Sequence, residues 1–336
     1  MEPRRANEEL LGFTVQHLVS QAFFSAARLK VADHLANGPL TIEDLAKRCK
    51  VAPLPLYRMM RLLAGHGLFH ERSGRRFALN ELADYLRSDV AHSYLDCALM
   101  LGRNYTASNR FHAGLAQGEA LFSLHTGKPL ADFVDEHPDF GTLFERAMDS
   151  LHGLEIGALV EVLELHDGQV FADIGGGSGE VLIEVLRTHP GVSGVLFDRA
   201  PVIERTRATV QAFGLERRCH CMSGDFFANV PVVAEVYFLR HILHDYPDRQ
   251  CVALLRGLAD AAPCGARLIV AECLVEPPNV TGPGKHLDMV MMQFSGGHER
   301  SAEEFDLLFD AAGWAFSGVS PTASMVSLIE AQLRED

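Results

Sequence analysis

The stretch from Val170 to Glu180, VFADIGGGSGE, constrains the fold of this chain more than any other. A short apolar run ends in a cluster of glycines, and apolar residues at helical spacing follow at once from Val181. This order predicts a strand, a tight turn and a helix, the opening unit of a doubly wound α/β sheet. The glycines allow the backbone to turn sharply and a ligand to lie against bare main chain. The helix N-terminus offers that ligand free N–H groups.

The glycine spacing favours a nucleoside ligand that carries no phosphate. The dinucleotide fingerprint G-x-G-x-x-G, counted from Gly175, requires a glycine where this chain has Glu180. A carboxylate in the first helical turn would lie close to a pyrophosphate and repel it. The observed pattern G-x-G-x-G, preceded by Asp173, fits a phosphate-free nucleoside better. A second strand, about twenty residues on, ends in Asp198, and an acid there can accept hydrogen bonds from both ribose hydroxyls.

Composition excludes several classes of protein. The chain has 336 residues, 48% of them apolar, which predicts one large domain or two ordinary ones with a substantial core. A net charge of −14 argues against nucleic acid as a general partner. Apolar runs are too short for a membrane span, and the N-terminus has no apolar signal region, so we expect a cytoplasmic protein. The seven cysteines form no C-x-x-C pair and are interpreted as reduced thiols.

The sequence pattern up to about position 100 predicts a mainly helical winged-helix domain. A long helical pattern over 13–36 is apolar on more than one face, so it needs burial on two sides, within its own chain or against a second copy. A short helix capped by Thr41 ends near Cys49, a second runs over 54–66, and a two-stranded hairpin covers 68–79. Helix, turn, helix and wing in this order are the winged-helix pattern.

A ligand-responsive DNA-binding regulator is therefore an alternative function. The second helix, over 54–66, is mostly apolar, whereas a helix that reads a DNA groove needs a polar face for the base edges. We favour packing and dimerisation for this domain, with no nucleic acid as a partner.

Residues 91–160 are predicted to be helical, and the last helix of this segment has two interpretations. It can be a connector that packs on the core, or a roof over the cofactor crevice with Phe144 and Met148 facing the ligand. A break at Asp167-Gly168 marks the start of the α/β half.

From residue 169 on, strands alternate with helices, which predicts a mostly parallel sheet. The last two strands lack an intervening helix and are expected to form an antiparallel pair at one edge. The predicted strands cover 169–174, 194–198, 219–223, 235–239, 266–272, 315–319 and 325–331.

Candidate binding residues follow the carboxyl ends of these strands, where ligands of such sheets lie. They are Asp173 with the glycines, Asp198, Gly224-Asp225-Phe226, Arg240 to Asp245, and Glu272. Asp225 could hydrogen-bond an adenine amino group, and Phe226 could cover the ring. So many acids around one crevice favour a cationic cofactor.

His244 is the candidate general base, because it follows a strand end beside Asp245 and an imidazole titrates near neutral pH. Its second ring nitrogen needs an orienting partner, for which Glu272 and Glu299 are candidates. A metal pair at His241 and His244 is an alternative, since residues three apart on a helix share a face. The run Cys219-His220-Cys221 also has metal-binding residue types but lacks a second ligand pair. We expect no metal.

These motifs together resemble the small-molecule O-methyltransferases of the caffeate type, whose bacterial relatives act on aromatic polyketides, phenazines and similar natural products. The resemblance covers nearly the whole chain. The motifs that carry it are FADIGGGSG from Phe171, GDFF from Gly224, LRHILHDY from Leu239, AEC from Ala271 and GHERS from Gly297.

The resemblance implies a Rossmann-like class I methyltransferase sheet that binds S-adenosylmethionine and releases S-adenosylhomocysteine. It implies a winged-helix dimerisation domain over 1–100, a helical linker and active-site roof over 101–166, and a catalytic domain over 167–336. The implied cofactor-binding residues are Gly175, Gly177, Asp198, Gly224, Asp225, Phe226 and Arg240. His244 would be the general base, with Asp245 beside it and Glu272 and Glu299 flanking it. The acceptor would contact Phe144, Met148, Met289, Val290 and Phe294, and the partner would be a second copy in a homodimer.

The expected reaction is an in-line methyl transfer to a phenolic hydroxyl, without a metal. Two departures from the family pattern bear on the acceptor: Tyr246 replaces the commoner tryptophan, and Phe294 stands where some plant members carry asparagine. The acceptor is therefore expected to differ from a plant phenylpropanoid. Non-methylating chemistry on the same fold is an alternative, whereas Glu180 argues against a nicotinamide oxidoreductase.

Overall fold

A computed structural model describes residues 3–153 and 155–334 and divides the chain into two compact units. The first unit holds the residues through Asn109 together with Ala131–Gly153. The second holds Arg110–Leu130 and the chain that follows Gly153. Residues 101–166, which the sequence analysis treats as one linker, are therefore shared between the two units.

The first unit is mainly helical. Its helices are α1 (Pro3–Arg28), α2 (Val31–Leu35), α3 (Ile42–Cys49), α4 (Pro53–Gly65), α5 (Glu81–Asp84) and α6 (Leu95–Arg103), with the 3₁₀ helix Tyr105–Arg110 at its end. The helical pattern predicted for 13–36 is split, because Lys30 adopts a left-handed conformation (φ 51°) between α1 and α2. The predicted cap is confirmed: the hydroxyl oxygen of Thr41 accepts a hydrogen bond from the Asp44 N–H, at 3.1 Å.

The wing of the first unit contains three strands, one more than the sequence pattern predicts. The strands β1 (Leu40–Thr41), β2 (His70–Arg72) and β3 (Arg76–Ala78) form an antiparallel sheet in the order β1-β3-β2. β1 has only two residues, too few to produce a recognisable alternation of apolar and polar side chains.

The second unit is built on a seven-stranded sheet in the order β6-β5-β4-β7-β8-β10-β9. Its first five strands are parallel and the last two are antiparallel, which confirms the predicted sheet and its C-terminal pair. The strands are β4 (Val170–Ile174), β5 (Ser193–Asp198), β6 (Cys219–Ser223), β7 (Val236–Arg240), β8 (Arg267–Glu272), β9 (Trp314–Pro321) and β10 (Ser327–Leu333).

The remaining α-helices of the described chain lie before or between these strands in the sequence. In chain order they are α7 (Phe111–Gln117), α8 (Leu121–Thr126), α9 (Leu130–Glu136), α10 (Pro138–Gly153), α11 (Ile156–Val162), α12 (Glu180–Thr188), α13 (Ala200–Ala212), α14 (Asp248–Ala261), α15 (Pro283–Phe294) and α16 (Ala302–Ala311). Of these, α10 and nearly all of α9 belong to the first unit.

The central strands are apolar on both faces because both faces of the sheet are covered. On β4, Ala172 and Ile174 belong to one buried cluster, and Phe171 belongs to the cluster on the opposite face. Such strands give near-continuous apolar runs, which made them recognisable in the sequence.

The direction of chain crossover reverses at β4, because β5 lies on one side of it and β7 on the other. In open α/β sheets the ligand crevice lies at such a switch point, beyond the carboxyl ends of the strands. The residues after Ile174, Asp198 and Arg240 are therefore placed at one edge of the sheet. Among the described residues, no helix combines the length and the apolar character needed to cross a membrane.

Candidate active site

The glycine turn after β4 has a backbone that side chains would disturb. Gly175, Gly177 and Gly179 all have left-handed φ values, of 72°, 57° and 77°. A Cβ on Gly175 would also lie 2.6 Å from Cδ1 of Ile242, inside contact distance. The turn is therefore held close to the residues that follow β7, and its main chain stays bare.

Asp198, at the end of β5, is tied to this turn. One of its carboxylate oxygens accepts a hydrogen bond from the Gly177 N–H at 2.9 Å, and the other accepts one from the Arg199 N–H at 2.6 Å. A carboxylate oxygen has two lone pairs, so each oxygen can accept a further hydrogen bond from a ligand hydroxyl. The ribose-binding role that the resemblance implies for Asp198 stays a prediction.

Asp173 is a buried acid directly behind the glycine turn. It is 3% exposed, and its Oδ2 has no hydrogen-bond partner within the described part of the chain. Burial raises its pKa to about 7, opposed by the charge of Arg240 and reinforced by that of Asp198. An unpaired buried carboxylate oxygen of this kind is costly unless a ligand supplies a donor or a positive charge.

Phe226 lies beside the same turn. Its ring edge would be 3.6 Å from a Cβ on Gly175, and it packs edge-on against Phe227 and Tyr246, with centroid distances of 4.8 and 6.0 Å. Oδ1 of Asp225 accepts a hydrogen bond from the Phe227 N–H at 2.9 Å, which fixes the loop. A Cβ on Gly224 would lie 2.4 Å from the Phe197 ring, so this position needs glycine.

Arg240 and His241 share a partner that the sequence analysis missed. Oε2 of Glu155 lies 3.6 Å from Nη1 of Arg240 and 2.8 Å from Nε2 of His241. Burial, with the charges of His244 and Arg240, lowers the pKa of His241 well below its ordinary value, so this ring is neutral. Its ring stacks on that of His244 at 5.2 Å. No motif surrounds Glu155, which precedes a short helix and is brought to this site only by the fold.

His244 lies in a 3₁₀ turn, Leu243–Asp245, and is 8% exposed. Its Nδ1 is 2.9 Å from Oε1 of Glu299, and since a carboxylate only accepts, Nδ1–H is the donor. Burial lowers the pKa of His244, but the hydrogen bond to Glu299 and the charges of Glu272, Glu299 and Asp245 outweigh it and raise the pKa to about 9. The second ring nitrogen, Nε2, is then the one that can exchange a proton.

The two candidate orienting acids have different contacts. Oε1 of Glu272 accepts hydrogen bonds from the Leu243 and His244 N–H groups, at 2.7 and 3.1 Å, so this acid holds the backbone of the turn. Glu299 alone of the two contacts the imidazole. Oε2 of each acid is buried and has no hydrogen-bond partner within the described residues.

The predicted acceptor residues divide between the two units. Met289, Val290 and Phe294 lie on α15, where Met289 is 39% exposed and the Phe294 ring packs 5.9 Å from Phe122 of α8. Phe144 and Met148 lie on α10 in the first unit, and their contact with an acceptor stays a prediction. Within the described ranges, no three His, Cys, Asp or Glu side chains are arranged to hold a metal ion.

A family model described as an O-methyltransferase domain matches residues 108–315, and a second, an O-methyltransferase dimerisation domain, matches residues 12–89. The chain therefore belongs to the O-methyltransferase family. The two matches cover most of the Rossmann-like half and most of the helical half that the sequence predicted.

Three relatives are methyltransferases named for a phenazine or for the biosynthesis of calicheamicin or neocarzinostatin. The chain is 32% identical over 324 residues to the phenazine O-methyltransferase PhzM of Lysobacter antibioticus, covering 96% of this chain and 95% of that one. CalO1, a methyltransferase of calicheamicin biosynthesis solved with S-adenosylhomocysteine bound, is 31% identical with a TM-score of 0.90, covering 99% and 100% of the two chains. NcsB1 of neocarzinostatin biosynthesis, solved with S-adenosylmethionine and 2-hydroxy-5-methyl naphthoic acid, is 28% identical with a TM-score of 0.75, covering 94% and 96%.

Proposed function

We propose that this S-adenosylmethionine-dependent O-methyltransferase methylates a phenolic hydroxyl of an aromatic natural product, with His244 as the general base. The observation that carries this proposal is the 2.9 Å contact between Nδ1 of His244 and Glu299, next to the loop that packs on the glycine turn. One imidazole nitrogen is held by the acid, which leaves the other for proton transfer.

The residues around the glycine turn fit the methyl donor. S-adenosylmethionine, when bound, supplies a sulfonium methyl carbon that is already electrophilic. Asp173 has a buried oxygen without a hydrogen-bond partner among the described residues, which suits a positively charged ligand, and Asp198 has lone pairs for ribose hydroxyls. Phe226 offers an aromatic face to a purine ring, with Asp225 beside it. Arg240, Gly175, Gly177 and Gly224 complete the binding residues that we propose.

His244 must be neutral at Nε2 to take a proton, and its pKa of about 9 means that the free enzyme holds it protonated at neutral pH. The positive charge of S-adenosylmethionine, held by the residues named above, would lower this pKa of His244. We therefore expect the base to become competent as the cofactor binds. After transfer of the acceptor proton, Glu299 stabilises the imidazolium that forms.

An aromatic acceptor is supported by the apolar residues of α15 and by the acceptors named for the relatives. Met289, Val290 and Phe294 are sulfur-containing, aliphatic and aromatic, and such side chains favour flat apolar ligands with a few polar groups. The relatives named above carry a phenazine and a hydroxynaphthoic acid in their descriptions. We propose an acceptor of this class, a hydroxylated bicyclic or tricyclic aromatic compound.

A second copy of the chain is the proposed macromolecular partner. α1 presents apolar side chains in the described part of the first unit, with Leu10, Leu11 and Phe13 exposed at 65%, 58% and 83%. This surface lies within or beside the residues matched by the dimerisation domain, 12–89. Exposed apolar surface of this kind is typical of an interface, so we propose a homodimer.

The test is incubation of the protein with ¹³C-methyl S-adenosylmethionine and a panel of hydroxyphenazines, hydroxynaphthoates and hydroxybenzoates, followed by mass analysis. Gain of one labelled methyl group in place of a hydroxyl proton is the expected result. A product that lacks the label would support decarboxylation or hydroxylation on the same fold. Absence of labelled product across the panel, with sequence-specific binding to DNA fragments in a gel shift, would favour the regulator.

A further inference from the structure

The segment Gly297–Arg300 lies against the backbone of the turn that carries His244. The His298 N–H donates a hydrogen bond to the carbonyl oxygen of His244 at 2.9 Å. A Cβ on Gly297 would lie 1.9 Å from that same oxygen, so only glycine permits the approach. The main chain of this segment therefore contacts the turn directly.

Arg300 adds a side-chain contact that no motif assigned. Its guanidinium is 1% exposed and donates from Nη1 to the Leu243 carbonyl oxygen at 2.9 Å and from Nη2 to the Tyr246 carbonyl oxygen at 3.0 Å. Nε and Nη2 also bond to Oδ1 of Asp248, at 3.1 and 2.7 Å. The Arg300 guanidinium thus joins the first residue of the turn, Leu243, and the residue after it, Tyr246, to the start of α14.

Glu272 holds the same turn from its N–H side. Its Oε1 accepts from the Leu243 and His244 N–H groups, whereas Arg300 donates to the carbonyl groups. A three-residue 3₁₀ turn has few hydrogen bonds of its own and its geometry is poor, so external partners decide its conformation. The acid and the guanidinium act on opposite polar edges of one short peptide.

Two consecutive residues, Glu299 and Arg300, act on the His244 turn in different ways. Glu299 reaches the imidazole, and Arg300 reaches the backbone that bears the imidazole. Their segment is anchored separately, by the Val275 N–H to the Arg300 carbonyl oxygen at 3.0 Å and by the Glu299 N–H to Oδ1 of Asp288 on α15 at 3.1 Å. Arg300 is therefore one of the groups, with Glu272 and the His298 N–H, that hold the turn beside Glu299.

We propose that Arg300 is a positioning residue for methyl transfer, which holds the His244 turn at the distance from Glu299 that general-base catalysis needs. This inference rests on the proposed role of His244. A buried cation is costly unless its donors are satisfied, and an apolar residue would fill the same space more cheaply. Arginine suits this position because its planar fork bonds two carbonyl oxygens and a carboxylate at once, which a lysine ammonium cannot reproduce.

The test compares Arg300→Lys with the wild type in kinetics, cofactor affinity and the titration of His244. We expect kcat to fall about 10²-fold, since a displacement near 1 Å has that effect on reacting groups. The dissociation constant for S-adenosylmethionine should stay within about threefold, because the glycine turn and Asp198 are untouched. In ¹³C-histidine spectra, assigned with His244→Ala, the pKa of His244 should fall as its contact with Glu299 lengthens.

Two further variants make the result interpretable. Arg256→Lys is the matched control: the Arg256 guanidinium donates twice to the Ala311 carbonyl oxygen at the end of α16, and we expect wild-type kcat. Asp248→Asn keeps Arg300 but weakens its anchor, so we expect a smaller loss of kcat and a smaller pKa shift. It also serves if Arg300→Lys yields no folded protein.

The inference is overturned if folded Arg300→Lys or Asp248→Asn retains both wild-type kcat and the wild-type pKa of His244. It is equally overturned if kcat, cofactor affinity and thermal stability all fall together, because that pattern marks a general structural role. A wild-type enzyme that methylates no member of the panel contradicts the proposed function instead, and the His244 titration still reports on Arg300.

Discussion

Oε1 of Glu299 lies 2.9 Å from Nδ1 of His244, although the two residues are 55 positions apart in the chain. The contact joins the turn after β7 to the segment that precedes α16. It fixes the tautomer of the imidazole, because the nitrogen facing the carboxylate must carry the proton. It also supplies part of the negative charge that raises the pKa of His244.

Removal of the Glu299 charge should therefore shift the pH dependence of turnover. In Glu299→Gln the amide oxygen still accepts a hydrogen bond, but it no longer stabilises the imidazolium, so the pKa of His244 falls below about 9. Turnover by a neutral base rises with pH through that pKa, so the rise moves to lower pH. The measurement is kcat/KM for the acceptor against pH at saturating cofactor. Glu303→Gln, an exposed acid of α16, is the control, and an unmoved rise in Glu299→Gln would contradict the account.

Asp173 should stabilise the folded protein less as the pH rises. Its folded pKa of about 7 lies above the ordinary value of 3.8, so its contribution is present below that ordinary value and is lost as the pH passes 7. Asp173→Asn removes this dependence, and its free energy of unfolding at pH 8 should exceed that of the wild type by up to about 4 kcal/mol. Denaturant titrations at two pH values measure the difference.

The same variant should bind S-adenosylmethionine about tenfold more weakly, because the buried negative charge that suits the cationic ligand is gone. Equal cofactor affinity in wild type and Asp173→Asn would show that this acid acts on the structure of the glycine turn and does not contribute to cofactor binding.

Gly175→Ala should reduce cofactor affinity by about tenfold or more. The residue has φ 72°, and the added Cβ would lie 2.6 Å from Cδ1 of Ile242, so the turn or the Ile242 side chain must shift. Gly214→Ala is a matched control, since Gly214 has φ 68° but nothing within 4 Å of an added Cβ. Both variants carry a similar backbone strain. Calorimetric titration with S-adenosylmethionine should separate them, and equal affinity losses would refute the crowding argument.

Phe13→Glu should convert the proposed homodimer to a monomer. A carboxylate in the centre of an apolar interface lacks a partner, and such a change weakens association by about 10²-fold or more. Light scattering across a concentration series measures the mass. Leu307→Glu, on α16, alters a comparably exposed apolar residue (72%, against 83% for Phe13) and should leave the mass unchanged. If Phe13→Glu remains a dimer, Phe13 does not lie in the interface and the proposed surface is wrong.

The local sequence pattern was sufficient to predict most strands and helices of the second unit. Continuous apolar runs mark the buried strands, and a capping box, in which Ser301 and Glu304 bond reciprocally, opens α16. The place of His244 shortly after a strand end was also recognisable from the neighbouring residues, while its role as the base stays a proposal. These features depend on residues within a few positions of each other.

Features that depend on distant residues could not be predicted. Glu272 and Glu299 were equal candidates as partners of the imidazole, and only the fold separates the acid on the backbone from the acid on the ring. Glu155 has no motif around it and comes close to His241 from 86 positions away. Arg300 stood inside a recognised motif, but its contacts are with carbonyl groups, which leave no trace in the side-chain pattern.

The most direct test of the central claim is the comparison of wild type with His244→Ala in labelled methyl transfer and in cofactor binding. We predict a fall in kcat of about 10²–10⁴-fold with the dissociation constant for S-adenosylmethionine changed by less than about threefold. His220→Ala, at an exposed histidine of β6, should match the wild type. Wild-type kcat in His244→Ala, or a loss of cofactor binding as large as the loss of kcat, would contradict the role of His244 as the base.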